Sequence, residues 1–425
     1  SINVRPAWDK ATGTGVVVAV IDTGITNHPD LNANILPGYD FISDAAMARD
    51  GGGRDSNPND EGDWYAANEC GAGYPASNSS WHGTHVAGTV AAVTNNSTGV
   101  AGTAFNAKVV PVRVLGKCGG YTSDIADAIV WASGGSVSGV PANANPAEVI
   151  NLSLGGGGSC STTYQNAING AVGRGTTVVV AAGNSNTNVS SSVPANCPNV
   201  IAVAATTSAG ARASFSNYGT GIDISAPGQG ILSTLNTGTT TPGSASYASY
   251  NGTSMAAPHV AGVVALMQSV APSPLSPAQV ESIIKSTARP LPGACSGGCG
   301  AGIIDADAAV AAAINGGGNP NPGGTVLQNN VPVSGLGAAS GASLNYTVNV
   351  PSGSSQLRVT ISGGSGDADL YLRQGSAPTD TAYTCRPYLS GNSETCTVNS
   401  PAAGTWYVRV KAYSTFSGVT LNAQY

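Results

Sequence analysis

The hydrophobic pattern changes period along the chain. Gly15-Val16-Val17-Val18-Ala19-Val20-Ile21-Asp22-Thr23-Gly24 is an unbroken, largely β-branched run closed by Asp and Gly. A run with no alternation is the mark of a strand covered on both faces, hence of a parallel sheet. Comparable runs recur at residues 107–115, 149–154, 176–182 and 200–205. Apolar residues return at helical spacing over 82–93, 123–133, 164–174, 254–270 and 277–287. The alternation predicts an α/β fold, a doubly wound, mostly parallel sheet flanked by helices, whose chemistry gathers at the carboxyl ends of the strands.

After Ile314 the pattern breaks. Residues 315–325 are a Gly/Pro/Asn linker in composition. Beyond it, residues 344–348, 357–361, 369–372 and 406–410 alternate with period two, which predicts a small C-terminal all-β sandwich domain. The expected organisation is a larger domain over 1–314, the linker over 315–325 and a smaller domain over 326–425.

Composition narrows the functional classes. Hydrophobic residues make up 41% and charged residues only 9%, with a net charge of −6. That balance leaves no basic footprint for nucleic acid, and no apolar run reaches the length of a membrane span. Eight cysteines in so charge-poor a chain suggest disulfides and an oxidising compartment. Zinc ligation is the competing reading, but only Cys295 and Cys299 are close in sequence and no paired histidines complete a set. Proximity favours the pairs Cys295–Cys299 and Cys385–Cys396. No signal peptide precedes Ser1, so a secreted protein would be in processed form here.

Candidate chemistry begins at Tyr250–Gly262, a turn (Asn251-Gly252) followed by a helix with Ser254 in its first turn. A serine in that place is ordinarily a cap; it becomes a nucleophile if a base and an orienting carboxylate converge on it. Asp22, at the end of a buried strand, is an unusual place for a lone carboxylate. His82, opening a helix, could be a base, whereas His85, deeper in the same helix, suits a structural hydrogen bond. The zinc-protease spacing of histidines four apart with an intervening Glu is absent. Asn184, ending another strand, could offer its amide to an oxyanion. The Gly-rich acidic loop over 50–63 has the oxygen ligands of a calcium site.

These four groups stand in the order Asp, His, Asn, Ser, and Gly252-Thr253-Ser254-Met255-Ala256 does not fit the esterase pattern Gly-x-Ser-x-Gly. Asp22-Thr23-Gly24, His82-Gly83-Thr84-His85-Val86-Ala87-Gly88 and Gly252-Thr253-Ser254-Met255-Ala256-Ala257-Pro258 resemble the three motifs of the subtilisin-like serine proteases (subtilases, peptidase family S8), over roughly residues 2 to 314. The resemblance implies a secreted serine endopeptidase in which Ser254 is nucleophile, His82 the base and then acid, Asp22 its orienter, and Asn184 with the Ser254 backbone N–H the oxyanion hole. It also implies an extended substrate added as a strand between Ser153-Leu154-Gly155 and Cys118-Gly119-Gly120. The pocket for the residue before the scissile bond (P1) would be lined by Ser153–Gly155 and Ala181, Ala182 and Gly183, with Ser192 near its base. Nothing charged falls there, so a large apolar or neutral P1 residue is expected.

By the same resemblance, structural Ca2+ is expected at Asp30, Thr94, Asn96, Thr98 and Val100, and a second ion at Asp50, Asp55 and Asn57, with Asp60 and Asp63 able to join. Cys160–Cys197 matches a disulfide of some extracellular subtilases, which leaves Cys70–Cys118 for the rim of the clamp. The implied partners are protein and peptide substrates and the enzyme's own propeptide as inhibitor and chaperone; a monomer is expected. Residues 326–425 resemble the bacterial pre-peptidase C-terminal domain through Gly366-Asp367-Ala368-Asp369-Leu370-Tyr371-Leu372 and Gly404-Thr405-Trp406-Tyr407-Val408. Its aromatics Tyr371, Tyr383, Tyr388, Trp406, Tyr407 and Tyr413 either form a binding face or pack the core. Two other readings compete with the endopeptidase: a non-catalytic scaffold, and an esterase or acyltransferase on the same serine.

Overall fold

The β-branched runs of the sequence form the centre of the larger unit. In the computed structural model, which describes residues 1–314, 325–338 and 340–425, the strands β1 (Val17–Asp22), β2 (Tyr39–Asp40), β3 (Lys108–Arg113), β4 (Val149–Leu152), β5 (Thr177–Ala181), β6 (Ile201–Thr206) and β7 (Ile224–Pro227) make one sheet. The order is β2-β3-β1-β4-β5-β6-β7, and each neighbouring pair is parallel. Val18, Val20, Ile150, Val179 and Val203 are all nearly or fully buried, as a strand covered on both faces requires. The winding reverses across β1 and β4, which opens a crevice at their carboxyl ends. Asp22 and the residue after β4, Ser153, lie there.

Helices α1 (His82–Ala91), α2 (Thr122–Ala132), α3 (Thr162–Gly173) and α4 (Thr253–Val270) accompany the sheet, close to the expected ranges. Helix α4 is buried along most of its length, from Thr253 to Met267, in keeping with its run of small apolar residues. The pattern did not reveal β7 or the antiparallel hairpin Ile231–Asn236 with Ala245–Tyr250. That hairpin is rich in Ser, Thr and Ala, so it carries almost no hydrophobic alternation. Its polar residues serve another end, because Ser233 and Thr234 donate to the carbonyls of His85 and Thr84 at 2.7 and 2.8 Å.

The chain divides into two compact units, Ser1–Val270 with Pro274–Val310, and Ala271–Ser273 with Ala311–Tyr425. The linker expected at 315–325 falls, apart from its last residue, outside the described residues. In the smaller unit the long strand Gly404–Gln424 pairs antiparallel with Ser343–Val350 and Ser365–Gln374 through its first part, and with Gln356–Ser362 through its last. Leu344, Val348, Leu357, Leu370, Val408 and Leu421 fill the core between them. Tyr371 and Trp406 are buried at 0% and 2% exposure, and Tyr407 is half-buried, so the proposed six-residue aromatic face reduces to Tyr383, Tyr388 and Tyr413.

One buried ionic group ties the acidic loop to the sheet. Arg113 of β3 is 1% exposed and donates through Nη1 to Asp40 at 2.6 Å and Asp50 at 3.2 Å, and through Nη2 to the Ala48 carbonyl at 2.5 Å. Burial pushes the Asp40 carboxyl up to about 7, against the pull of Arg113. Removing the guanidinium would strand these carboxylates, so Arg113→Met is expected to cost about 3–5 kcal/mol of stability. Denaturant unfolding measures it, and a loss below about 1 kcal/mol would show that the group is not coupled as described.

Candidate active site

Four secondary-structure ends meet in the crevice. Asp22 closes β1 and is fully buried. His82 is the first residue of α1, and its Nδ1–H donates to Asp22 Oδ1 at 2.8 Å. The same oxygen accepts the Thr23 N–H at 2.8 Å, while Oδ2 is buried and has no hydrogen-bond partner among the described residues. Burial pulls the His82 pKa down, but the Asp22 carboxylate, helped by Asp63 and Asp60, raises it above the ordinary value. His85 behaves differently. It donates to the Ala248 carbonyl at 3.0 Å through Nε2, stacks on Tyr250, and is pushed down by burial to about 4. His259 is held at about 4 by burial and donates Nδ1–H to the Met255 carbonyl at 2.8 Å.

Ser254 is the second residue of α4, and its surroundings follow from Pro258. Proline has no N–H, so it cannot serve the carbonyl four residues earlier. That carbonyl belongs to Ser254, and Ser153 Oγ donates to it at 2.7 Å instead. Asn151 Nδ2 in turn donates to Ser153 Oγ at 2.9 Å. The Ser254 hydroxyl donates back to the Ser153 carbonyl at 3.2 Å. The Asp22–His82 hydrogen bond is thus made, while the Ser254 hydroxyl gives its proton to the Ser153 carbonyl. Loose nucleophile–base geometry is common before substrate binds.

Asn184 caps the start of α4. Its Oδ1 accepts the Thr253 N–H at 2.8 Å and the Thr253 hydroxyl at 3.0 Å, which leaves the Nδ2 donors to the cavity that it lines with Ser254. That cavity, about 540 Å³, includes Leu154, Gly155, Ala181, Gly183 and Ser192 of the expected pocket. Ala182 and Ser153 stand behind it; both are buried. On the His82 side a second cavity of about 350 Å³ takes in Cys118, Gly119, Ser153, Tyr65 and Tyr74; Gly120 does not line it.

The acidic loop is organised by hydrogen bonds to separate donors. Asp50 accepts from Gly52 N and Arg113; Asp55 and Asn57 accept from backbone N–H groups two residues on. Asp60 accepts from Thr23 Oγ1 and Gly62 N, and Asp63 from Ser80 N and Oγ. Among the described residues no group of three or more His, Cys, Asp or Glu is gathered as metal ligands are. The side chains of the loop are thus held by separate local donors: backbone N–H groups, Thr23, Ser80 and Arg113. Asp30 differs. It is fully buried, accepts from Asn96 Nδ2 at 2.6 Å, Val100 N at 3.0 Å and Tyr247 OH at 3.4 Å, and has no cationic side-chain partner among the described residues.

Residues 13–302 match the model of the Subtilase family. The chain belongs to the subtilase family. Residues 342–412 match the bacterial pre-peptidase C-terminal domain. This subtilase is 80% identical over 425 residues to a protein named extracellular protease from Xanthomonas campestris pv. campestris, covering 100% of this chain and 73% of that one. It is 45% identical to the extracellular basic protease of Dichelobacter nodosus over 96% of this chain and 72% of the relative. A solved protease structure from Pseudoalteromonas arctica superposes with a TM-score of 0.73 at 63% identity, covering 74% of this chain and 94% of that one. The subtilase is accordingly a subtilisin-like serine peptidase, a hydrolase.

The subtilase carries four disulfides, Cys70–Cys118, Cys160–Cys197, Cys295–Cys299 and Cys385–Cys396. Sequence reasoning missed Thr253, Asn217 and the full part of Ser153. Asn217 is 2% exposed; its Oδ1 accepts from Ser185 N and Thr187 N, and its Nδ2 donates to the Ala182 carbonyl and Ser192 Oγ. It shapes the pocket floor from a loop whose sequence, Ser214-Phe215-Ser216-Asn217-Tyr218, carries no periodic or motif signal. The freed carbonyl at Ser254 was readable in principle, since Pro258 stands four residues on.

Proposed function

We propose that the subtilase is an extracellular endopeptidase of broad specificity that works through Asp22, His82 and Ser254. The observation that carries the reading is the 2.8 Å bond from His82 to the buried Asp22 carboxylate, beside a cavity lined by both Ser254 and Asn184. Ser254 Oγ attacks the scissile carbonyl while His82 Nε2 takes its proton, and the carbonyl oxygen becomes an oxyanion held by the Ser254 N–H and Asn184 Nδ2. His82 then gives the proton to the departing amine, and water hydrolyses the acyl-enzyme by the same steps in reverse order. Asp22 fixes the imidazole with Nδ1 protonated, so Nε2 is the lone pair that faces the reaction. The names of the relatives and the four disulfides support an oxidising, extracellular setting.

Ser254→Ala is expected to abolish turnover, and Asn184→Ala to lower kcat by about 10²–10³ with little change in KM. Steady-state kinetics on a peptide ester and a peptide amide test both; turnover retained by Ser254→Ala would refute the assignment, and equal losses in kcat and affinity would remove Asn184 from the oxyanion site.

The substrate would lie as a strand against Ser153–Gly155 on one side and Cys118–Gly120 on the other, read through its main chain. No charged side chain lines the large cavity, so a cationic or anionic P1 side chain would be desolvated there without a partner. A peptide-library digest should show cleavage after large apolar or neutral residues. Cleavage confined to Lys and Arg would overturn this.

Asp30 is the place where bound calcium fits best. A buried carboxylate without a cationic partner, beside Asn96 and the turn at Thr94, Thr98 and Val100, offers the hard oxygen ligands calcium requires. Asn96 would have to turn its amide oxygen toward the ion. Removing calcium with a chelator should shorten the half-life for thermal inactivation, and Asp30→Ala should make that half-life indifferent to the chelator. An unchanged half-life in the parent protein would exclude the site.

A further inference from the structure

Asp60 is buried at 1% exposure, and among the described residues it has no ion-pair partner. Burial pushes its carboxyl up to about 7 even though hydrogen bonds from Thr23 and Gly62 oppose the rise. A carboxyl in such a place lowers stability unless its hydrogen bonds are well made. Both oxygens are used. Oδ2 accepts the Thr23 hydroxyl at 2.6 Å and Oδ1 accepts the Gly62 N–H at 2.9 Å. Its own backbone is pinned, with Asp60 N donating to the Ile25 carbonyl at 2.9 Å and Ile25 N to the Pro58 carbonyl at 3.1 Å.

Thr23 is the link to the reacting groups. Its hydroxyl oxygen accepts the Gly83 N–H at 2.9 Å, and its backbone N–H donates to Asp22 Oδ1 at 2.8 Å. One residue therefore holds the carboxylate that precedes it and the helix residue that follows His82. Packing at this joint is close, since a Cβ on Gly83 would stand 2.2 Å from the Gly24 carbonyl oxygen. A threonine hydroxyl has one proton to give. Given to Asp60, it leaves the hydroxyl oxygen's lone pairs facing the Gly83 N–H.

We infer that Asp60 is a positioning residue: by taking the Thr23 hydroxyl it locks Thr23 between β1 and α1 and fixes Asp22 against His82. The inference rests on the assignment of Asp22, His82 and Ser254 as the working triad. It gives this carboxylate, which looked like a metal ligand in sequence, a place one hydrogen bond behind the triad. Asp60 itself touches no substrate.

The test uses Thr23→Val, Thr23→Ser, Asp60→Asn and the double variant Thr23→Val/Asp60→Asn in the full chain, with Ser254→Ala as reference. A misplacement of the His–Asp pair lowers kcat without weakening substrate binding, by about tenfold to a hundredfold. Thr23→Val and Asp60→Asn should each show that loss at unchanged KM, Thr23→Ser should restore kcat to within about threefold of the parent, and the double variant should be no slower than the slower single. Melting temperatures read in parallel identify variants that fail to fold; if Thr23→Val does not fold, Asp60→Asn and Thr23→Ser still decide the point. Losses that multiply in the double variant, a parental kcat in folded Asp60→Asn, or no rescue by Thr23→Ser would overturn the inference. Turnover retained by Ser254→Ala would instead show that the triad assignment had failed.

Discussion

Everything at the crevice depends on the burial of α4. A helix covered on nearly every side by the sheet and by α1 has no freedom to slide, so a residue in its first turn is fixed in space. Pro258 adds a specific consequence to that general one. By leaving the Ser254 carbonyl without an intrahelical donor, it makes a buried polar group that must find a partner, and Ser153 supplies it. The helix bearing Ser254, the proposed nucleophile, is thereby joined to the loop that follows β4, which also forms one wall of the proposed substrate cleft. A break in regular structure has become a joint between two functional parts.

The same economy of connection is visible around His82. The first turn of α1 meets the end of β1 through Asp22, Thr23 and Gly24, and the hairpin beyond β7 supports α1 from its other side through Ser233 and Thr234. The chain is poor in charge, and the ionisable side chains it does bury in the larger unit are spent on such junctions. Asp22 and Asp60 lie behind His82, Arg113 with Asp40 and Asp50 fastens the acidic loop, and Asp30 organises the turn at 96–100.

Much of the architecture could be read from the sequence, and the parts that could not have a common physical reason. The β1 run and α4 announce themselves because a segment buried on both faces must be apolar throughout. The hairpin at 231–250 is dominated by Ser, Thr, Ala and Tyr, with few aliphatic residues, so its pattern resembles a loop. At the site, the positions of Asp22, His82 and Ser254 at a strand end and two helix starts were readable because the motifs fall where the hydrophobic pattern begins or stops. Ser153 could be placed in the expected cleft but not given its two hydrogen bonds with Ser254, and Asn217 not at all, since their partners come from distant segments. In the acidic loop the spacing of carboxylates was legible but their partners were not, since Thr23, Ser80 and Arg113 come from other segments.

The Cys70–Cys118 bond joins residues 48 apart in sequence, and the ring that it closes contains the whole of α1 with His82. Residues 71–78 within that ring are all exposed, and they include glycines and a tyrosine, an open stretch on an enzyme that cuts peptide bonds. A single cut there by a neighbouring molecule would open the ring without releasing either end. The two new termini would remain attached through sulfur, and the segment carrying His82 would stay in the fold. Durability of this enzyme in its own company is thus partly a property of where one covalent crosslink sits.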